Sequence, residues 1–437
     1  FYTLGCRLNQ YDTEAMKTAL PDHINCEVVP WDSDADVFII NSCTVTGKAD
    51  QKTRHTARRI KRNNPGAKVV VTGCYAQTQP EVLSDIPEID GIYGISEREN
   101  ISDWLPQLII SKSQVMEVES FPKNMRFKSE SISDFEGKTR AFAKIQDGCN
   151  LRCTYCLIWK ARGPARSRTV EDIVEQIQVL ANSGFIELVL TGVNVGSYGD
   201  DFTDKVSLYE MLSTILAKFP ELRFRLSSIH PNEVDDELLS LFSEYKNLQP
   251  YLHLSLQSLS DTVLQRMKRP YRKDIAFSVI NKAANLLPGF GIGADIIAGF
   301  PEETDAEFDE TYSFLESLPM SYMHIFQYSS RPGTKAELMK QVAPEIASAR
   351  AKKLRQLSES KRNLFEQGLQ GSWREAIVES GQCSPGYINA TLDNFAAIEV
   401  PETCITGTLI KVNIGPRENG LLTANDVQTI ENNGDES

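Results

Sequence analysis

Three cysteines stand close together in the middle of the chain, at Cys149, Cys153 and Cys156. Their spacing, C-x3-C-x2-C, places three thiols in one short loop directly after an apolar, strand-like run at residues 141–145. Three thiolates can hold three irons of a cubane iron–sulfur cluster and leave the fourth iron without a protein ligand. An open metal position of this kind can bind and activate a substrate or cofactor. The alternatives are a zinc knuckle or three buried thiols, but zinc sites usually have four ligands and no fourth one stands nearby.

A second set of cysteines, Cys6, Cys43 and Cys74, is spread over the first hundred residues. Each follows a short apolar run, and a polar, helix-like segment comes after it: residues 1–4, 37–40 and 68–71, followed by 12–20, 49–62 and 81–84. Strand, turn and helix in repetition indicate an open α/β sheet, whose ligands gather at the carboxyl ends of the strands. The three thiols can therefore converge on a second three-thiolate site, although cysteine is also a common small core residue.

The composition bounds the class of protein and its compartment. A chain of 437 residues is long enough for two or three domains with their own cores. No apolar run approaches the roughly twenty residues that a membrane helix needs. Nine cysteines, an odd number, fit metal ligation in a reducing compartment better than a secreted disulfide framework, so we expect a cytoplasmic protein. Because the sequence begins with Phe1 rather than methionine, we expect a few residues to precede it.

The charge distribution argues against indiscriminate nucleic-acid binding but leaves room for a specific polyanion. The formal net charge is −13, yet four segments are locally basic: residues 48–62, 160–168, 266–273 and 350–362. Each one alone is more often a solvated helix face than a binding surface. Because two of them lie beside cysteine motifs, together they favour a polyanionic substrate that reaches the metal centre.

The remaining pattern predicts how the chain is divided. Strand-like and helix-like segments alternate through residues 139–365, which suggests parallel strands closing into a partial barrel. Short β-leaning runs from residue 366 onward suggest a small β-barrel. The expected organisation is α/β: residues 1–110 as an open α/β sheet domain, 111–138 as a linker, 139–365 as the partial barrel, 366–431 as the β-barrel and 432–437 as a disordered tail.

The central cysteine loop, with Tyr155 just before its last cysteine, resembles the signature of radical S-adenosylmethionine (SAM) enzymes. The resemblance implies a (βα)6 partial barrel and a [4Fe–4S] cluster on Cys149, Cys153 and Cys156, whose open iron takes the amino and carboxylate groups of SAM. Residues 190–196, Leu-Thr-Gly-Val-Asn-Val-Gly, occupy the place of a SAM-binding motif, and 256–258, Leu-Gln-Ser, resemble another. The expected SAM contacts are Tyr155, Gly192, Asn194 and Gln257.

The amino-terminal motifs resemble those of the methylthiotransferase family: residues 3–14, 41–46 and 72–77. This resemblance implies that Cys6, Cys43 and Cys74 bind an auxiliary [4Fe–4S] cluster, so that the chain carries two clusters. It also implies that residues 366–431 form a TRAM domain, an OB-like RNA-binding barrel. Three other cysteines match no family motif and are interpreted as ordinary thiols: Cys26, Cys383 and Cys404.

The resemblance implies an activity in tRNA modification. The central cluster would reduce SAM to methionine and a 5′-deoxyadenosyl radical, and the auxiliary cluster would carry the sulfur that a second SAM methylates. Within the family, the residues around Cys6 and Cys43 look most like the enzyme that methylthiolates carbon 2 of N6-threonylcarbamoyladenosine beside the anticodon, at position 37 of the tRNA. The same chemistry on isopentenyladenosine or on a ribosomal-protein aspartate is the alternative. Leu259 and His230 depart from the family pattern and bear on the substrate.

The partners expected from the resemblance are the tRNA anticodon stem-loop, SAM and an electron donor such as flavodoxin or ferredoxin, with no membrane involved. The sulfur donor and the oligomeric state stay open. The opposing interpretation is a non-catalytic iron–sulfur protein that senses redox state or binds RNA. Two open-iron sites argue against it, because a structural cluster is normally fully ligated.

Overall fold

A parallel five-stranded sheet forms the first part of the computed structural model, which describes residues 1–122 and 125–430. Its strands follow one another in chain order: β1 Tyr2–Thr3, β2 Val37–Ser42, β3 Lys68–Gly73, β4 Gly91–Tyr93 and β5 Val115–Glu117. The helices of this part are α1 Arg7–Thr18, α2 Gly47–Asn63, α3 Cys74–Thr78, α4 Pro80–Ser84, α5 Ile95–Arg98 and α6 Ile101–Ile110, with a 3-10 turn at Asp22–Ile24. The central strands β2 and β3 are apolar and buried, as expected of a parallel sheet that is covered on both faces.

The segment expected to be a linker, residues 111–138, is only in part a connection. Strand β5 lies within it and adds the edge strand of the first sheet, pairing in parallel with β4. Ile132 and Phe135 are buried in the core of the next unit. A strand of three residues is too short to show a periodicity that would identify it from its own sequence, and its pairing depends on the sheet edge that is already present.

The second unit is built mainly from parallel strands. Its strands are β6 Ala141–Lys144, β7 Gln146–Asp147, β8 Arg166–Ser167, β9 Glu187–Thr191, β10 Arg223–Leu226, β11 Tyr251–Gln257, β12 Gly291–Ala298 and β13 Tyr322–Gln327. Its helices are α7 Ile158–Ala161, α8 Val170–Asn182, α9 Leu208–Lys218, α10 Asp236–Glu244, α11 Asp261–Met267, α12 Lys273–Leu286, α13 Asp305–Ser317 and α14 Pro344–Leu369, with 3-10 turns at Val195–Ser197, Pro231–Glu233 and Ala336–Leu338.

Six of these strands form the partial barrel, in the order β6, β9, β10, β11, β12 and β13. Regular parallel pairing joins the first three and the last three, and backbone hydrogen bonds between Ile229 and His253 and from Ser255 to Ile229 connect the two halves. Strands β7 and β8 form a separate antiparallel ribbon beside the barrel. The α/β architecture and the six-stranded partial barrel are thus confirmed.

Side chains alternate between two environments along the barrel strands. On β11, Leu252 and Leu254 belong to the main apolar core, whereas Tyr251 and His253 form a polar row on the opposite face. This period of two follows from the pleat of a strand, and it explains why the barrel interior is polar.

The third unit is a closed β-barrel that follows the 26-residue helix α14. Its strands are β14 Trp373–Ser384, β15 Tyr387–Leu392, β16 Ala397–Pro401, β17 Leu409–Glu418 and β18 Leu421–Thr429. The β15–β16 turn reaches the partial barrel, where the Phe395 ring stacks on Tyr251 at 4.6 Å between ring centroids. Residues 431–437, which include the expected tail, lie outside the described residues.

Within residues 1–122 and 125–430, no helix combines the length and the apolar character that crossing a bilayer requires.

Candidate active site

The central cysteine loop is held between two parts of the partial barrel. Gly148 has a φ of +72°, and a Cβ atom built on it would lie 1.9 Å from the Pro164 carbonyl oxygen, so only glycine fits there. The backbone N–H of Cys149 donates to Gly163 at 3.1 Å, and that of Thr154 donates to Met267 at 3.0 Å. The loop is therefore fixed from both sides before any cluster binds.

Polar groups surround the sulfur atoms of this loop. Burial raises the pKa of the Cys156 thiol to about 12, and it also raises that of Cys149. The backbone N–H of Ile158 donates to Cys156 Sγ at 3.4 Å, and the Arg269 guanidinium donates to Cys153 Sγ at 3.7 Å. A buried thiol resists ionisation unless a metal or a cation stabilises the thiolate, and these donors are suited to an anionic cluster.

The second set of cysteines converges at the carboxyl ends of the first strands. Cys6 directly precedes helix α1, Cys43 follows β2 and Cys74 follows β3. A Cβ atom at Gly5, where φ is +103°, would lie 2.8 Å from Cys43 Sγ, so the glycine lets the first turn approach the second cysteine. Burial raises the pKa of the Cys43 thiol to about 12, and the neighbouring charges of Cys74 and Cys6 raise it further.

The spacing of the sulfur atoms distinguishes between a single ion and a cluster. Among the described residues, neither cysteine set brings its three sulfur atoms within 4.8 Å of one another. Zinc–sulfur bonds of ~2.3 Å in a tetrahedron would bring the sulfur atoms to about 3.8 Å. Three thiols at this wider spacing, with an N–H donor and a guanidinium charge near each set, fit a larger anionic [4Fe–4S] cluster.

A buried ion-pair network connects the two cysteine sets. Arg162, six residues after Cys156, donates to Asp147 Oδ1 at 3.0 Å, to Asp12 Oδ2 at 2.7 Å and to Asn9 Oδ1 at 2.8 Å. The Asn9 amide oxygen also lies 3.9 Å from Cys74 Sγ, and Asp147 accepts from the Gly148 N–H at 2.8 Å. A continuous polar path thus runs from Cys74 to the start of the central loop.

Further cations neutralise the carboxylates of this network. Asp12 also pairs with Arg98 at 2.8 Å and Lys144 at 3.1 Å, and Asp147 pairs with Arg166 at 3.1 Å. Burial alone would raise the pKa of the Asp12 carboxyl, but its cationic partners outweigh that effect and lower the pKa. The network stays charged, and it fixes how the first sheet sits against the partial barrel.

Packing also joins the two sets. Ala161 of helix α7, just after the central loop, shares one small apolar cluster with Cys74 and Ile95 of the first sheet unit. On another side, Arg331 of the barrel segment donates to Thr44 Oγ1 at 2.7 Å and also contacts Asp50. The segment after Cys74 is therefore in direct contact with the segment after Cys156, and the segment after Cys43 contacts the barrel at Arg331.

The expected SAM contacts Gly192 and Asn194 lie beside the central loop. Gly192 leaves room for Gln146, whose side-chain oxygen would lie 2.9 Å from an added Cβ atom and accepts from the Asn194 N–H at 3.0 Å. The Asn194 amide donates to Glu233 Oε1 at 2.6 Å. Burial raises the pKa of Glu233, and its carboxyl is close enough to Cys149 to raise the pKa of that thiol.

The other two expected contacts lie in separate parts of the chain, Tyr155 in the turn of the central loop and Gln257 at the end of β11. Tyr155 is packed edge-on against Phe300 at 6.2 Å between ring centroids. Gln257 ends β11 with a φ of +61°, at a shift in the pairing with β12. The two residues that depart from the family pattern are buried, His230 beside Glu233 and Leu259 in the main core.

Several site residues cannot be identified from the sequence. Arg162, Asn9 and Arg269 lie in basic or cysteine-bearing segments, but their contacts are with distant parts of the chain. Glu233 carries no local signal at all. The basic residues beside the cysteine motif are the one hint in the sequence, and only the structure shows that Arg162 is buried and therefore paired.

Comparisons with known proteins identify the family of the chain. The model of the radical SAM superfamily matches residues 143–315, and that of uncharacterized protein family UPF0004 matches residues 1–94. Threonylcarbamoyladenosine tRNA methylthiotransferase MtaB of Aquifex aeolicus is 39% identical over 402 residues, which cover 91% of this chain and 97% of that relative. The chain belongs to the MtaB family of radical SAM tRNA methylthiotransferases. SAM and [4Fe–4S] clusters are the cofactors of this family of enzymes, and the resemblance seen in the sequence is confirmed.

Three further proteins are similar to this chain at lower sequence identity. MtaB of Rickettsia prowazekii is 35% identical over 96% of this chain and 95% of its own. A tRNA-2-methylthio-N(6)-dimethylallyladenosine synthase of Staphylococcus haemolyticus is 32% identical over 83% of this chain and 72% of its own. The radical SAM methyltransferase TsrM of Kitasatospora setae superposes with a TM-score of 0.55 at 14% identity, over 75% of this chain and 71% of that one, and shares the fold alone.

Proposed function

We propose that this enzyme methylthiolates carbon 2 of N6-threonylcarbamoyladenosine next to the tRNA anticodon. The observation that carries the proposal is the pairing of two three-thiol sets, Cys149, Cys153 and Cys156 with Cys6, Cys43 and Cys74, across one interface. Insertion at an aromatic C–H bond needs a radical, and it also needs a sulfur source within reach of the carbon that is attacked. The similarity to the MtaB relatives favours threonylcarbamoyladenosine as the substrate.

When bound, the two clusters and SAM supply the radical and the sulfur for the reaction. The protein's own residues hold and orient these groups. The two thiol sets provide three ligands each and leave one iron of each cluster open, while Arg269 and Arg162 place positive charge beside them. Gly192 and Asn194 offer close backbone approach beside the central loop, and the Glu233 carboxylate fixes the orientation of Asn194.

The surface charge supports an RNA substrate. Helix α2 begins three residues after Thr44, which contacts the partial barrel, and it exposes Lys52, Arg58, Arg59 and Arg62. A row of cations that starts at the site can hold the phosphates of a stem-loop while its base enters the barrel. The C-terminal barrel is proposed as a second, TRAM-like RNA contact.

An acidic electron carrier such as flavodoxin or ferredoxin is proposed as the reductant. Arg152, between two cluster cysteines, is exposed and lies over the Trp159 ring at 4.2 Å, and Lys160 is exposed next to it. A cationic, partly aromatic surface beside the central cluster suits an anionic protein partner. A cytoplasmic location follows from this proposal, because reduced thiols and tRNA are found together there.

The test is a reaction of the anaerobically reconstituted enzyme with tRNA bearing N6-threonylcarbamoyladenosine, SAM and a reductant, followed by mass analysis of the nucleosides. We expect 2-methylthio-N6-threonylcarbamoyladenosine from the wild type. The Cys153→Ala variant should lose both SAM cleavage and product, whereas Cys43→Ala should keep SAM cleavage and lose product. The Cys404→Ala variant, outside both sets, is the matched control.

Two results would contradict the proposal. Methylthiolation of isopentenyladenosine tRNA, with none of threonylcarbamoyladenosine tRNA, would move the enzyme to the other substrate. Product formation by Cys43→Ala would remove the amino-terminal cysteines from the chemistry.

A further inference from the structure

A group of metal-ligating side chains lies in the barrel interior, apart from both cysteine sets. His253 on β11, Asp295 on β12 and His324 on β13 stand on three neighbouring strands, and one ligand atom from each lies within 4.8 Å of the others. His253 Nε2 is 3.1 Å from Asp295 Oδ1, and His324 Nδ1 is 3.4 Å from the same oxygen.

The strand pairing brings these residues together. Asp295 is the direct cross-strand partner of His324, and Gly293 is the partner of His253. A Cβ atom on Gly293 would lie 2.9 Å from His253 Nδ1 and 2.7 Å from the Tyr322 ring, so glycine provides the space for the imidazole. Residues at alternate positions of one strand face the same side, which puts Asp295 on the face of Gly293.

The second ring nitrogen of His253 is already occupied. Its Nδ1 lies 3.0 Å from the Tyr251 hydroxyl and 3.2 Å from the Tyr322 hydroxyl. A histidine that ligates a metal usually donates its other ring N–H to an oxygen, which sets the tautomer and the ring orientation. Two tyrosine hydroxyls on one side therefore leave Nε2 as the free ligand atom, directed at Asp295.

The group is partly shielded yet open to incoming ligands. The His253 side chain is 9% exposed, while those of Asp295 and His324 are 23% and 54% exposed. His324 also lines a cavity of about 160 Å³ with Tyr322 and Phe395. Two imidazoles and one carboxylate are a ligand set for Zn²⁺, Fe²⁺ and related ions, with positions left over for other donors.

We propose that His253, Asp295 and His324 bind one divalent transition-metal ion, of the Zn²⁺ or Fe²⁺ class, with open coordination positions in the partial barrel. None of its three ligands belongs to either cysteine set. Arg269, which contacts Cys153, also donates to the Ser255 carbonyl at 2.7 Å, two residues beyond His253 on β11. With a strand rise of ~3.3 Å per residue, His253 lies about 7 Å along β11 from Ser255, toward the amino-terminal end of the strand.

This position gives the ion a role in substrate binding, a step that rests on the proposed function. A threonylcarbamoyl group carries a carboxylate and a hydroxyl, both of which are oxygen donors that divalent ions accept. An ion held at the end of the barrel away from the cluster would take the threonyl end of the base. Carbon 2 would then be directed toward the cysteine sets.

The binding test uses the holoenzyme with both clusters in place, so that the cluster thiols are not available to added metal. Samples are dialysed anaerobically against Zn²⁺, and zinc and iron are counted in parallel. We expect about one zinc per chain in the wild type, with iron unchanged, and an affinity at least roughly tenfold weaker in Asp295→Asn and His324→Gln. The half-exposed His324 makes its variant the safer one for folding, and His55→Gln, an exposed histidine on α2, is the matched control.

The site is refuted if the wild type takes up no zinc or Fe²⁺ beyond its clusters, or if Asp295→Asn and His324→Gln bind as tightly as the wild type. The substrate role is tested by stem-loop binding with and without Zn²⁺. The metal should tighten binding of a threonylcarbamoyladenosine stem-loop and leave an unmodified stem-loop unchanged. Equal effects on both would reject the substrate role alone, whereas a failure to methylthiolate under any metal condition would reject the proposed function.

Discussion

Replacing Arg162 with methionine should loosen the interface between the first sheet and the partial barrel. The guanidinium is 1% exposed and makes three charged or polar contacts, with Asp12, Asp147 and Asn9. Methionine keeps much of the volume of the side chain but removes its charge and its donors. Two buried carboxylates then lose one cation each.

The size of the effect follows from what remains around those carboxylates. Removing one partner of a buried ion pair typically costs about 3–5 kcal/mol. Asp12 keeps Arg98 at 2.8 Å and Lys144 at 3.1 Å, and Asp147 keeps Arg166 at 3.1 Å. The cost should therefore fall at the low end, about 3 kcal/mol, which corresponds to a decrease in Tm of roughly 6–12 °C for a unit of this size.

Thermal unfolding of the holoenzyme, followed by circular dichroism, measures this loss. Arg355→Met, an exposed position on helix α14, is the matched control and should stay within ~0.5 kcal/mol of the wild type. The EPR signal of the auxiliary cluster should also change in Arg162→Met, because the guanidinium charge acts on Cys74 and Cys6. A variant that melts within ~2 °C of the wild type with an unchanged EPR signal would refute the reasoning.

Three more outcomes are expected. Burial and the charge of Arg269 lower the pKa of His230 from 6.5 to about 3. The folded protein therefore keeps this imidazole neutral, whereas the unfolded chain takes up a proton there as the pH falls below 6.5. Its contribution to stability is thus lost with falling pH, by about 1 kcal/mol between pH 7.5 and 5.5, and a His230→Asn variant should lack this part of the pH dependence of Tm. Gly148→Ala should prevent binding of the central cluster while the auxiliary cluster still binds, as iron counts would show, because a Cβ atom has no space against the Pro164 carbonyl. Arg59→Glu on the exposed face of α2 should weaken tRNA binding at low salt, and the salt dependence of binding should become shallower by about one phosphate contact. Equal salt slopes for the variant and the wild type would mean that the RNA binds elsewhere.

Local sequence was sufficient to predict the central loop and the architecture around it. The spacing of Cys149, Cys153 and Cys156 and the glycine before them are properties of one short segment, where covalent geometry limits the distances between thiols. The alternation of apolar runs and helix-like segments likewise predicts parallel strands, because hydrophobic periodicity reflects which faces are buried. The convergence of Cys6, Cys43 and Cys74 followed from the rule that parallel strands end at one edge of the sheet.

Contacts between distant segments were decided only by the tertiary structure. Arg162 meets Asn9 across 153 positions of sequence, and His253, Asp295 and His324 meet only because the pairing of three strands sets their register. The three-residue strand β5 joins the first sheet for a similar reason, since a short strand is stabilised by the edge that it completes. Sequence patterns report which face of an element is buried, but the partner that a buried charge meets depends on how the elements pack, and no local pattern contains that information.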